Sequence, residues 1–173
     1  MNSEDHHITR NGSARERLLR AGATLFAERG YASTSVREIV EQAGVTKPVL
    51  YYHFKNKEGL FRAMLEWASR LQNDVLERAA GTPGKALDRF ILLYRDIYRG
   101  VMDNRDLFKM IHNLVFGPPQ GAPEFDVNAY RLRMVHAIET IYAESIPSRY
   151  GNGADAGDTA VLILSLIGFC IRL

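Results

Sequence analysis

Cysteine is almost absent from this 173-residue chain; Cys170 is the single one. One cysteine can form no internal disulfide and no cysteine-based zinc site, so stability must come from packing, as suits a reducing cytoplasm. Long apolar runs are missing too. A membrane span needs about 20 apolar residues, and the nearest stretch, Ala160–Leu173, is too short. The opening residues MNSEDHHITR are polar and lack an apolar segment, so no secretory signal is expected there. Strand-like alternation is scarce, whereas apolar residues recur with a 3.6-residue period along most of the chain. That pattern predicts an all-α protein. Enzymatic signatures are also lacking: there is no G-x-S-x-G, no H-E-x-x-H and no phosphate-binding glycine loop, so no enzyme is expected. His112 and His136 stand on separate predicted helices without H-x-x-x-H spacing. They are read as partly buried structural residues, and neither a metal nor a cofactor is expected.

What is present divides unevenly. The net charge is +2, but residues 1–57 carry +3 and residues 58–173 carry −1. A basic head on a near-neutral body suits a polyanionic partner for the head. The expected organisation is a flexible arm over 1–13, a helix-turn-helix head over 14–60, and a helical body over 61–173. In the head, Gly30 and Gly44 are helix stops. Ser35 and Glu38 form an S-x-x-E capping box, Thr46 is a candidate N-cap, and Pro48 sits in a first turn where a missing N–H does no harm. In the body, Gly81-Thr82-Pro83-Gly84 and the proline-rich loop Gly117–Pro123 separate further helices, with a last apolar helix expected over Asp155–Leu173.

The informative segment is Gly30 to Leu60. Ile39, Ala43, Val45 and Leu50 can pack two short helices across a tight turn, and Gly44 can take the positive φ such a turn needs. The second of these helices is then a rigid rod whose outer face can enter a major groove. Lys47 there can donate to guanine O6/N7, while Pro48 and Val49 can contact a thymine methyl. Thr46, Tyr51, Tyr52 and His53 can donate to phosphate oxygens, as can Lys57 at the start of the following helix; Arg37 is long enough to reach a base edge or the backbone.

The runs L-F-A-E-R-G-Y at 25–31, T-S-V-R-E-I at 34–39, A-G-V at 43–45 and L-Y-Y-H-F-K-N-K-E-G-L at 50–60 resemble the DNA-binding domain of the tetracycline-repressor (TetR) family of bacterial regulators. The resemblance implies DNA contacts at Ser35 and Arg37, at Thr46, Lys47, Pro48, Val49, Tyr51, Tyr52 and His53, and at Lys57. It also implies a cytoplasmic homodimer, paired through C-terminal helices, that binds a near-palindromic operator in double-stranded DNA. A small, largely apolar or aromatic effector would release the DNA. The family carries two long C-terminal dimer helices and this chain stops inside the first, so further residues are expected beyond Leu173.

Candidate effector contacts in the body are Trp67, Phe90, Tyr94, Phe108, His112, Tyr130 and Met134. At helical spacing, each of these is as readily a core residue as a cavity wall. The competing reading of the whole is a helix-turn-helix regulator that binds DNA constitutively, without a ligand.

Overall fold

In the computed structural model, residues 12–117 and 121–143 are described. They form α1 (Ala14–Arg29), α2 (Val36–Ala43), α3 (Lys47–Phe54), α4 (Lys57–Gly81), α5 (Ala86–Asp103), α6 (Arg105–Phe116) and α7 (Val127–Ala143). No strand occurs among the described residues, in agreement with the all-α expectation. The arm as far as residue 11, part of the proline-rich loop and the helix expected over 155–173 lie outside them.

Local sequence explains most boundaries. Ser13 and Ser35 each close a capping box, with Glu16 and Glu38 answering from the third helical position. Gly44 ends α2 in the left-handed conformation (φ 62°, ψ 40°) and donates its N–H back to the last turn, a conformation glycine adopts without a Cβ clash. Asn56 caps α4, its Oδ1 accepting from the Gly59 N–H at 2.7 Å. One expectation needs correcting: Thr46 precedes α3 as expected, yet its hydroxyl makes no capping bond. After the proline-rich loop, α7 starts at Val127, where the Asp126 carboxylate accepts from the Ala129 N–H (2.8 Å) and sets the cap.

The helices form two compact units. One contains α1, α2, α3, α4 as far as Glu66, and α6 from Asp106 on. Its core is Leu18, Leu25, Phe26, Ile39, Leu50, Phe54, Leu60, Phe61 and Met64. Phe26, Tyr31 and Phe61 meet as a triangle of rings 5.1–5.6 Å apart. The α6 side chain of Asn113 donates to the Ala27 carbonyl of α1 (3.2 Å), and Leu107, Met110 and Ile111 are its buried face.

The other unit holds α4 from Trp67, α5 and α7. Leu76, Ala79, Leu93, Met134 and Ala137 are its buried centre, with Val75, Phe90 and Ile97 packed around them. Arg89 is buried to 2% exposure and caps the end of α4, donating to the Ala79 carbonyl at 3.0 Å and to that of Ala80. The sequence pattern puts Leu87, Phe90, Ile91, Tyr94, Ile97, Tyr98 and Val101 on one inward face of α5. The structure narrows that face. Leu93 and Val101 are buried and Phe90 and Ile97 half-buried, while Leu87, Ile91, Tyr94 and Tyr98 are exposed. A stripe this wide exceeds what one packed neighbour covers, since a helix buries only the arc that touches another element. His136, expected to be partly buried, is exposed, and His112 is half-buried with its ring against Phe116 (4.9 Å).

Candidate nucleic-acid interface

Helix α3 is eight residues long, too short to be stable alone, so its form depends on what it packs against. Leu50 and Phe54, one turn apart, are its buried residues and lie in the head core. The opposite face is left to solvent. Lys47, Pro48, Tyr51 and Tyr52 are exposed, Tyr52 to 84%, while Val49 and His53 are half-buried. Thr46 at the N-terminal end is also exposed. An 84%-exposed aromatic ring gains little from folding, so the fold leaves the Tyr52 ring open to contact from outside the molecule.

The first turn of α2 extends this surface. Ser35 and Arg37 are both exposed. Ser35 Oγ accepts from the Glu38 N–H (3.2 Å), so the hydroxyl already serves as the cap and keeps its own proton and a second lone pair for a further partner. The Glu38 carboxylate accepts from the Ser35 N–H at 2.8 Å and faces Arg29 at 2.9 Å. These bonds, led by the one from Ser35, hold its pKa below the usual carboxylate value. Arg37 is paired with Glu41 one turn on, Nε to Oε1 at 2.7 Å, and that carboxylate raises the arginine pKa. Both partners are more than half exposed, so the pair is a weak tie that a phosphate can replace.

Long-range contacts hold the two helices of the motif. Arg17 on α1 donates from Nε to the Ala43 carbonyl at the C-terminal end of α2 (3.0 Å), where the helix dipole favours a cation. Thr34 is buried, donating to the Gly30 carbonyl at 2.9 Å, and so pins the α1–α2 corner. Gly59 closes the far side: a Cβ there would stand 1.9 Å from the Phe54 carbonyl oxygen, so only glycine allows α4 to start this close to the end of α3.

Lys57 differs most from its expected role as a phosphate anchor. It is half-buried. Its ammonium donates to the carbonyls of Tyr31 and Thr34, each at 2.9 Å, and lies 4.1 Å from the centre of the Tyr31 ring. Two of three N–H bonds are therefore committed inside the head.

Among the residues expected to meet an effector, Trp67, Tyr130 and Met134 are buried and Phe90 half-buried, all in the second unit. Tyr94 there is 45% exposed, and Phe108 and His112 belong to the first unit. Residue periodicity missed Gln72 and Arg133. Gln72 is 6% exposed; its Nε2 donates to the Tyr130 carbonyl (3.1 Å), while its Oε1 is buried without a partner among the described residues. Arg133 Nε is likewise buried and unpartnered, its guanidinium lying 5.9 Å from the Tyr130 ring centre. No signal in the sequence separates such a glutamine from an ordinary exposed one. No group of acidic, histidine or cysteine side chains among the described residues is arranged to hold a metal, and no described helix is long and apolar enough to cross a membrane.

Comparison with known proteins agrees with this geometry. The family described as "Bacterial regulatory proteins, tetR family" matches residues 18–64, from the core of α1 to the first turns of α4. The transcriptional repressor KstR2 of Mycolicibacterium smegmatis is 35% identical over 89 residues, which is 49% of this chain and 43% of that protein. The chain spans about half the length of the curated relatives it matches. Among solved structures, CprB of Streptomyces coelicolor, determined in complex with its operator sequence, aligns with a TM-score of 0.68 and 28% identity over 92% of this chain and 78% of its own. A gamma-butyrolactone receptor described as ArpA-like aligns with a TM-score of 0.70 and 27% identity over 91% of this chain and 78% of its own. KstR2 is described as a transcriptional repressor and CprB as a TetR family protein. The capped α2, the Gly44 turn, the exposed α3 and the Gly59 closure thus all lie within the segment, residues 18–64, that matches the bacterial regulatory proteins of the tetR family.

Proposed function

We propose that this protein is a cytoplasmic transcriptional repressor that binds a near-palindromic operator as a homodimer and leaves it when a small molecule binds the body. The observation that carries the DNA-binding part is the two-sided build of α3: Leu50 and Phe54 anchor it, and Lys47, Pro48, Tyr51 and Tyr52 face solvent. In this reading α3 lies in the major groove. Lys47, Pro48 and Val49 read base edges, and Thr46, Tyr51, Tyr52 and His53 hold phosphates, joined by Ser35 and by Arg37 once it exchanges Glu41 for the backbone. One head offers few contacts, so useful affinity needs two heads spaced about 34–36 Å apart, one turn of B-DNA. The pairing helices expected at the C-terminal end lie outside the described residues.

The effector part is supported by Gln72 Oε1 and Arg133 Nε, which are buried beside Tyr130 without a partner among the described residues. Buried polar atoms left unmatched are costly, and a bound molecule with both donor and acceptor groups would satisfy them. The structural neighbour described as a gamma-butyrolactone receptor is consistent with a small effector carrying polar groups. Release requires only that the effector prefer the conformation that does not bind DNA.

Selection from a randomised duplex pool, followed by fluorescence anisotropy from about 50 mM to 200 mM salt, tests this reading. Enrichment of an inverted repeat and a steep fall in affinity with salt are expected. If no duplex is retained even at the low-salt end, the DNA-binding reading fails.

A further inference from the structure

We propose that Lys57 is a positioning residue for DNA binding: its ammonium latches the α1–α2 corner to the start of α4 and does not anchor a phosphate. This rests on the DNA-binding reading above. Lys57 is the first residue of α4, where the positive end of the helix dipole disfavours a cation. Burial disfavours the charge as well and lowers the pKa of the group. Two unfavourable terms act on this ammonium, so something in the fold must offset them.

The compensation is fully internal. The Tyr31 and Thr34 carbonyls accept two of its N–H bonds at 2.9 Å, and the Tyr31 ring lies 4.1 Å away, well within cation–π reach. That ring is itself fixed against Phe26 and Phe61. The second carbonyl belongs to Thr34, the residue directly before Ser35, the N-cap of α2. Holding the Thr34 carbonyl orients the peptide that joins it to Ser35, and with it the first turn of α2, where Ser35 and Arg37 are presented. A phosphate would have to share the remaining N–H or pull the ammonium off both carbonyls.

Two variants separate a latch from an anchor. Lys57→Met keeps the stem and removes the charge. Lys57→Arg keeps the charge but replaces a compact three-donor head with a wide planar one that cannot sit between the same carbonyls. Amide hydrogen exchange is measured on the free protein, and affinity for a selected duplex is measured across salt concentrations. A latch predicts at least tenfold faster exchange at the Thr34, Ser35 and Glu38 amides in both variants. It also predicts several-fold weaker binding at every salt concentration, with the native salt slope. A phosphate anchor predicts native exchange in both variants, a slope lower by about one counterion in Lys57→Met, and near-native binding for Lys57→Arg; that result overturns the proposal. Should Lys57→Met yield too little folded protein, Lys57→Arg alone decides through exchange and affinity. The exchange measurement needs no DNA, so it tests the latch even if the native protein binds no duplex.

Discussion

Side chains with similar appearance in the sequence turn out to have different work, and substitution separates them. Gly59 is held by contact: the Phe54 carbonyl oxygen occupies the space a Cβ would need, and this obstacle is backbone rather than the end of a flexible side chain that could give way. Gly59→Ala is expected to destabilise the head by about 1–3 kcal/mol, the usual range for overpacking, read as a lower melting temperature. Gly44→Ala also loses stability, but through its positive φ alone, since nothing lies within 4 Å of that position. Tyr130 gives a pH signature. Burial raises its pKa to about 12, so the folded state holds its proton more tightly than the unfolded chain, whose tyrosines ionise near 10.0. The resulting stability is complete below pH 10 and is lost as pH rises from about 10 to about 12. A spectrophotometric titration should show one tyrosine ionising only with alkaline unfolding. Ionisation of every tyrosine near pH 10 in the folded protein would contradict this.

At the scale of the element, α2 and α3 are both eight residues long and are stabilised differently. Helix α2 closes its N-terminus with a two-way capping box, whereas α3 has no side-chain cap and relies on Pro48 in its first turn and on Leu50 and Phe54 beneath it. Ser35→Ala should therefore lower stability by about 1 kcal/mol, a melting shift of about 2–4 °C for a chain of this size. Thr46→Ala should leave the melting temperature unchanged and weaken DNA binding only. The outer face of α3 behaves in the same way. Lys47→Ala is expected to keep the native melting temperature, because the side chain is exposed, while weakening specific binding by about 1–3 kcal/mol and relaxing preference at one base pair. Competition titrations against duplexes varied one base pair at a time would measure both effects.

For the whole molecule, α4 is divided between the two units, giving Lys57–Glu66 to one and Trp67–Gly81 to the other. For the effector response proposed above, a coupling of about 1–3 kcal/mol, typical of allosteric proteins, would amount to a roughly 5–150-fold change in DNA affinity. Gln72 offers a way to isolate that coupling. Its amide makes one buried hydrogen bond and leaves Oε1 unmatched among the described residues, so Gln72→Leu should leave stability near the native value, in contrast to most buried substitutions. The same variant should blunt or abolish release from the operator by any effector found in a thermal-shift screen. A large loss of stability would mean that Gln72 is an ordinary core residue. An unaltered response would remove it from the effector site.

Much of the head was legible in the sequence because its determinants are local. A capping box needs two residues three apart, a left-handed helix end needs a glycine, and a buried rod needs an apolar residue at each turn; Ser35, Glu38, Gly44, Leu50 and Phe54 satisfy these within one short segment. The exposed face of α3 follows from the same periodicity. The tertiary structure decided whatever depends on residues distant along the chain. Lys57 reads as a free cation until the Tyr31 and Thr34 carbonyls, 26 and 23 residues away, are seen to surround it. Arg17 reads as a surface charge until it meets the Ala43 carbonyl. Helical periodicity shows that a stripe of α5 is apolar but not which part of it a neighbour covers. For the same reason Gln72 and Arg133 carry no mark in the sequence: burial and the absence of a partner are properties of the packed body. The sequence by itself determined the helix-turn-helix head, because that motif is built from short-range rules. Which cations stay exposed, and which polar atoms of the body are buried without a partner among the described residues, were decided only when distant backbone carbonyls and side chains were brought together.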